Sequence, residues 1–259
     1  MIKEEIDTII QLLEEISETQ DAEQLFNDVS QICSICKAEN IWNEIQKKQN
    51  DFLQGNEEVI DEAYSLVAQM LDDMCSKVPE DLLNYFYIEL SDREWNKILN
   101  EEHQKEAEEA YDKNIEEIMK SDEETRIRAL KGIHREDSKV EVIKTIEDLD
   151  KKIEALKELT DDMNKAEIIK TIEDPERRIE VALKELPDDW WKAEIIKTIE
   201  DPEKRIEVAL KELKDDGPKA EVIKTIEEPD KKIEALKELK DDGPKAEVIK
   251  TIEEPDKKI

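Results

Sequence analysis

The sequence predicts an all-α protein: an N-terminal helical bundle over residues 1–120, then a C-terminal αα-hairpin solenoid over residues 121–259. Three observations predict it. The block Lys165-Ala166-Glu167-Ile168-Ile169-Lys170-Thr171-Ile172-Glu173 recurs at Lys192, Lys219 and Lys245, with a weaker copy at Lys139. A fixed period of this kind is the signature of stacked repeats. Elsewhere apolar residues fall at the i, i+3, i+4 spacing of amphipathic helices. Finally, the 259 residues include only four glycines, too few for the tight turns of a β-sandwich or barrel.

The head opens with an apolar stripe at Ile2, Ile6, Ile9, Leu13 and Ile16. Leu25, Val29, Ile32 and Cys36 make a second stripe, and Ile60, Ala63, Tyr64, Val67, Leu71, Met74 and Val78 a third. Gly55 marks a loop between them. Pro79 precedes a short aromatic helix, Leu82 to Leu90, which contains Tyr85-Phe86-Tyr87. Ser91-Asp92-Arg93-Glu94 reads as a capping box before Trp95, Ile98 and Leu99. A long helix follows, through the polar run Glu101–Glu109 to Ile118. Ser121–Glu124 reads as another capping box and sets the boundary. The head is therefore expected to hold five or six helices, and a helix is expected to join it to the repeats.

Successive repeats are offset by 26, 27, 27 and 26 residues. Lys219–Ile233 and Lys245–Ile259 are identical, and a degraded copy covers Lys113–Ser138. Each unit reads as two helices. In the first, Ala166, Ile169 and Ile172 share a face, with Ile168 at its edge. Asp174 is a suitable cap for the second, and Pro175 suits its first position, where a missing N–H costs nothing. Ile179, Ala182, Leu183 and Leu186 form its apolar face. Gly217 is expected to stop one helix and Pro218 to start the next. The 27-residue units carry an extra valine, Val181 or Val208, which predicts a slightly irregular superhelix. A hairpin of two ~10-residue helices cannot bury its apolar face alone, so stacking is required. The sequence ends at Ile259, six residues into the second helix of the last unit. That repeat is expected to be incomplete, with its last helix frayed or the natural chain continuing.

Charged residues make up 43% of the chain, against about 25% in a typical domain. The head holds 31 acids and 10 bases (net −21). The remaining 41 acids and 30 bases give the repeats −11, for a total of −32. A surface this acidic repels nucleic-acid phosphates and anionic lipids. No stretch approaches the ~20 apolar residues of a membrane span, so no membrane insertion is expected. The N-terminus has no apolar core of a secretory signal. With three cysteines and no signal, a reducing, cytoplasmic location is expected. The repeat surface reads as a solvated lattice of Lys and Glu.

Candidate chemistry is sparse. Cys33-Ser34-Ile35-Cys36 is a Cys-x-x-Cys pair with no second pair to complete a zinc site. Cys75 and His103 could complete it only if the fold brought them together. Core packing is the expectation for all three cysteines. His103 reads as a solvated surface residue, and His134 as a residue at a helix end. One of the three consecutive aromatics, Tyr85, Phe86 or Tyr87, should reach the surface. No nucleophile elbow, phosphate loop or dinucleotide fingerprint is present. No catalytic residue, cofactor or metal ligand is assigned, and no enzyme is expected. Trp190-Trp191 is the informative oddity. The same two positions hold Met163-Asn164 one unit earlier, and Gly217-Pro218 and Gly243-Pro244 in the units that follow. The repeat does not need large rings there, and Trp is enriched in binding hot spots. Trp190 and Trp191 are therefore the candidate partner-binding residues.

The paired-helix repeats of residues 121–259 resemble the tetratricopeptide and HEAT class of αα-hairpin proteins. The unit is shorter than the ~34 residues of a tetratricopeptide and lacks that family's Trp-Leu-Gly-Tyr-Ala-Phe-Pro signature. The resemblance implies stacked hairpins whose concave face binds other proteins. An acidic head followed by recently duplicated helical repeats is also similar to secreted effectors of intracellular bacteria or their regulators. That resemblance implies delivery into a host cytosol. The expected function is a non-catalytic adaptor or regulator that binds, and in one form inhibits, one protein with a basic or charge-complementary surface. The alternatives are a scaffold for several partners and an enzyme with an unrecognised site in the head.

Overall fold

The computed structural model describes residues 1–19 and 21–252. Among them are seventeen α-helices, three short 3-10 turns and no strand. The chain divides into two compact units, Met1–Lys120 and Ser121–Ile259. The expectation about the final half-repeat lies outside the described residues.

The first unit contains α1 (Lys3–Glu18), α2 (Ala22–Ile35), α3 (Glu39–Lys47), α4 (Gln49–Leu53), α5 (Glu57–Cys75), α6 (Glu80–Asp92) and α7 (Glu101–Lys120). The predicted stripes form its core, with Ile6, Ile9, Val29, Ile32, Val67 and Leu71 all buried, except that Ile2, which opens the first stripe, lies just before α1 and is exposed. Phe26 ties α2 to α3 and α4, its ring lying 5.0 Å from Trp42 and 5.3 Å from Phe52. Asp21 and Asn56 cap α2 and α5, each accepting a backbone N–H two residues on. Gly55 sits at φ +73°, a left-handed turn that closes α4. The helix count is seven rather than five or six, because α4 forms a separate short helix after α3. The capping box expected at Ser91 is absent. Ser91 is buried in the last turn of α6, the chain turns at Glu94 with φ +59°, and only a 3-10 turn over Asn96–Ile98 follows.

The repeat unit runs α8 (Glu123–Ala129), α9 (Glu136–Lys144), α10 (Leu149–Ala155), α11 (Asp162–Lys170), α12 (Pro175–Glu185), α13 (Asp189–Ile196), α14 (Pro202–Glu212), α15 (Asp216–Lys224), α16 (Pro229–Leu236) and α17 (Asp242–Lys250). Asp122, not Ser121, caps α8 by accepting from Thr125 N–H at 3.0 Å. The first helices of successive units, α9, α11, α13, α15 and α17, stack directly on one another. Each middle helix is therefore covered on two sides. Ile168 is fully buried rather than at an edge, as are its equivalents Val142, Ile195, Val222 and Val248. Asp174 and Asp201 cap α12 and α14, and a proline follows each at the first helical position. Gly217 and Pro218 do not separate two helices. Both lie in the first turn of α15, where helical N–H groups have no partner to lose. The preceding helix stops instead at Leu213, which is extended and buried.

The one-residue difference between units is absorbed locally. From Ile179 to Leu186 the chain makes seven helical steps, about 10.5 Å at 1.5 Å each. From Ile153 to Leu159 it makes six, the last three through a 3-10 turn over Leu156–Glu158. Three steps of about 1.5 Å and three of about 2.0 Å again give about 10.5 Å. The closing bond changes accordingly: Leu186 and Leu213 N–H reach back four residues, whereas Leu159 N–H reaches back three. The buried leucine arrives at the same height in both kinds of unit.

Polar clamps join the units, so the charge lattice is not wholly solvated. Asp189, only 7% exposed, accepts the backbone N–H groups of Lys214 and Asp215 in the next unit. Asp216 does the same for Lys240 and Asp241, and Glu136 for Thr160. A lysine three residues on completes each clamp. Lys192 lies 3.0 Å from Asp189 and also donates to Pro187 O; Lys219 pairs with Asp216 and donates to Lys214 O. In the remaining junction Pro187 stands where Thr160, Lys214 and Lys240 offer an N–H. Asp162 pairs with Lys165 but has no such backbone donor among the described residues. Bases clamp the other end. Arg205 and Lys232 reach across to the Thr225 and Thr251 carbonyls, the negative ends of α15 and α17.

Burial pushes the Asp189 and Asp216 carboxyls up. The backbone N–H bonds, with the lysines, outweigh it and hold both below the ordinary range. The folded pKa is depressed, so their stabilisation is present above the unfolded value of about 3.9 and fades as pH falls through the folded value. Asp216→Ala leaves two N–H groups without their acceptor and Lys219 without its counter-charge. It should cost about 1–3 kcal/mol at pH 7 by chemical denaturation and much less near pH 2.

Candidate functional site

Three groups of residues were legible as site candidates. The cysteines are placed by the α2–α5 interface. Cys33 and Cys75 are buried, and Cys36 is half-buried with its Sγ 3.9 Å from Met74 Sδ. Burial pushes Cys33 and Cys36 up to about 11 and Cys75 to about 12. These are packed thiols, protonated at neutral pH, and inert by the thiolate criterion. Among the described residues no group of three or more His, Cys, Asp or Glu is arranged to hold a metal ion.

His103 differs from its reading as a solvated residue. It is half-buried on α7, with Nδ1 2.6 Å from the Tyr87 hydroxyl and 3.3 Å from Glu106 Oε2. Tyr87 in turn donates to Glu106 at 3.0 Å. Burial, the neighbouring Cys75 and the Glu106 carboxylate push the Tyr87 hydroxyl well above its ordinary range. The network solves a packing problem, since a buried Tyr hydroxyl needs a partner. His103 at i and Glu106 at i+3 share a helix face toward α6. That spacing was visible in the sequence, but the tyrosine partner was not. The other aromatics follow the expected split. Phe86 is fully buried, while Tyr85 reaches the surface, donates to Asp7 at 2.7 Å and lies under Lys3 Nζ at 4.4 Å.

The tryptophans sit at the first turn of α13. Asp188 caps it, accepting from Trp190 N–H at 2.6 Å. Asp189, the first helical residue, is fixed by its clamp to the next unit. The two rings diverge. Trp191 is half-buried, whereas Trp190 is 54% exposed. Trp190 lies along the stack over Gly217, the equivalent position one unit later. A Cβ on Gly217 would meet Trp190 Cζ2 at 3.3 Å and Cη2 at 3.6 Å. Gly243, which follows a glycine in the stack, has nothing within 4 Å of such a Cβ. One unit earlier, Met163 occupies the same place and is 53% exposed. Met163 and Trp190 thus form an exposed apolar row on consecutive stacked helices. No family model, curated protein or solved structure matches the chain.

No helix among the described residues is long and apolar enough to cross a membrane. For the cysteines, a thiol-reactive disulfide reagent at pH 8 should label Cys33 and Cys75 only at the rate at which the head opens. Full labelling within the mixing time, without denaturant, would contradict their packing.

Proposed function

We propose that the chain is a non-catalytic adaptor or regulator that binds one partner protein through its repeats, with Trp190 as the anchor. One observation carries this reading: a large indole is held out into solvent at a rigid helix start, over a glycine small enough to seat it. An exposed apolar side chain of this size gains little for the fold, whereas preorganised Trp side chains dominate interface energetics. Met163 extends the contact along the stack. Trp191 is half-buried and is not needed as the anchor. The acidic head supplies long-range attraction for a basic or charge-complementary partner.

The double change Trp190→Gly with Trp191→Pro copies the next unit. The third helical position tolerates proline there, as Pro218 demonstrates. Titration calorimetry against the partner should register at least a tenfold loss of affinity, with only a small fall in melting temperature. Collapsed melting with unchanged affinity of the surviving folded protein would contradict the anchor role. If the head steers association, the on-rate should fall markedly from 50 to 500 mM salt while the off-rate changes less. A salt-independent on-rate would assign recognition to apolar contact alone.

A further inference from the structure

The second helices are not stacked like the first, and the spaces between them differ. Between α12 and α14 the gap of about 320 Å³ is narrowed by Val208, which packs with Ile179 over the buried Ala209. Val208 is the extra residue of a 27-residue unit. The following unit has 26 residues and lacks it: Ile206-Glu207-Val208-Ala209-Leu210 becomes Ile233-Glu234-Ala235-Leu236. With no valine to fill it, the space between α14 and α16 opens into a groove of about 580 Å³. Its floor is Ile206 and Leu210, both half-buried, with Ala235 beneath.

The rim has an excess of acid, with Glu203, Glu207, Glu234 and Glu238 against Lys211 and Lys231. Lys231 is held by Glu203 and Glu228, and Lys211 by Glu212. Glu207, Glu234 and Glu238 line the same groove, are exposed, and have no basic partner among the described residues. The groove therefore presents an apolar floor between unneutralised carboxylates.

We propose that the groove between α14 and α16 is a second docking site, which seats an amphipathic helix of the partner with an apolar face flanked by Lys or Arg. The proposal rests on the repeats being a protein-binding surface, but it involves none of the residues around Trp190. The complementarity is specific in sign. A basic flank meets Glu207 on one wall and Glu234 and Glu238 on the other, while apolar side chains at i, i+4 and i+7 fill the space left by the missing valine. A helix with acidic flanks would face three like charges. The groove is open along its length, which suits a peptide rather than a small molecule that needs most of its surface enclosed.

The probe is a fluorescein-labelled Leu/Lys amphipathic peptide of about 18 residues, roughly 27 Å as a helix. It is titrated into the full chain by fluorescence anisotropy at about 150 mM salt, where long-range attraction is largely screened. Two controls have the same length: a scrambled sequence of identical composition, and the same helix with Glu for Lys. The amphipathic peptide should bind at least tenfold more tightly than either control. Glu207→Lys with Glu234→Lys, both at exposed positions, should weaken it at least fivefold, and Leu210→Asp at least tenfold. Trp190→Gly with Trp191→Pro should leave it unchanged. Equal binding of the scrambled peptide, or indifference to the Glu207/Glu234 reversal, overturns the groove. So does a protein mass that doubles with concentration in light scattering and returns to the monomer in the Leu210→Asp variant, since that assigns the groove to a second copy. Loss of peptide binding in the tryptophan variant also overturns it. The anchor reading is tested separately, against the partner, so the two can fail independently.

Discussion

The repeat unit depends on one interaction, the side-by-side burial of its first helices. A hairpin this short has too little apolar surface to fold alone, so each inner first helix is buried by the helices before and after it. That demand explains why Ile168 and its equivalents are covered as fully as Ile169. It also explains the clamps. Burying a helix row brings helix ends and connecting turns into a drier environment, where free N–H groups are costly. Asp189 and Asp216 answer that cost by accepting N–H groups from the next unit. Arg205 and Lys232 do the same for carbonyls at the opposite ends. Neighbouring units are thus held together by apolar contact in the middle and by charge-assisted bonds at both ends.

With the first row fixed, the second helices vary. A valine more or less changes the closing turn from 3-10 to α, yet the buried leucine stays at the same height. The core does not register the change, but the surface does: α12 and α14 enclose a narrower gap, and α14 and α16 a wider one. Position 190 behaves in the same way. Methionine, tryptophan and glycine are all accepted there, because that side of the first turn faces outward, while Asp189 and Asp216 on its other side are buried. Duplicated repeats with a constant inner row can therefore diversify their outer face without loss of fold, and the proposed binding surfaces lie where that diversification has occurred.

The periodicity, the Asp-Pro starts of α12 and α14, and the apolar stripes of α1, α2 and α5 were legible because each depends on residues close in sequence. The features that were not legible depend on partners from elsewhere. Ser91-Asp92-Arg93-Glu94 has the composition of a cap, but packing against α7 carries α6 through it. Gly217-Pro218 has the composition of a break, but α15 starts at Asp216, the clamp residue, and both fall inside its first turn. The Glu–Lys lattice reads as solvated until Asp189 is matched to an N–H group 25 residues away. His103 reads as exposed until Tyr87 is placed beside it. Trp190 was legible as an oddity from the repeat alone, but its seat on Gly217 became visible only when the two helices were stacked.

The measurement that tests the clamped stack most directly is amide hydrogen exchange on the unaltered protein, because the sequence provides its own control. The Asp215 and Asp241 amides, held by the carboxylates of Asp189 and Asp216, should exchange far more slowly than their exposed turns would otherwise allow. The Asp188 amide is at the equivalent position in the junction where Pro187 interrupts the pattern, and no clamp bond from the described residues holds it. It should exchange near the rate of an open turn. Equal, fast exchange at all three positions would show that the clamps are not formed and that apolar burial alone holds the units together.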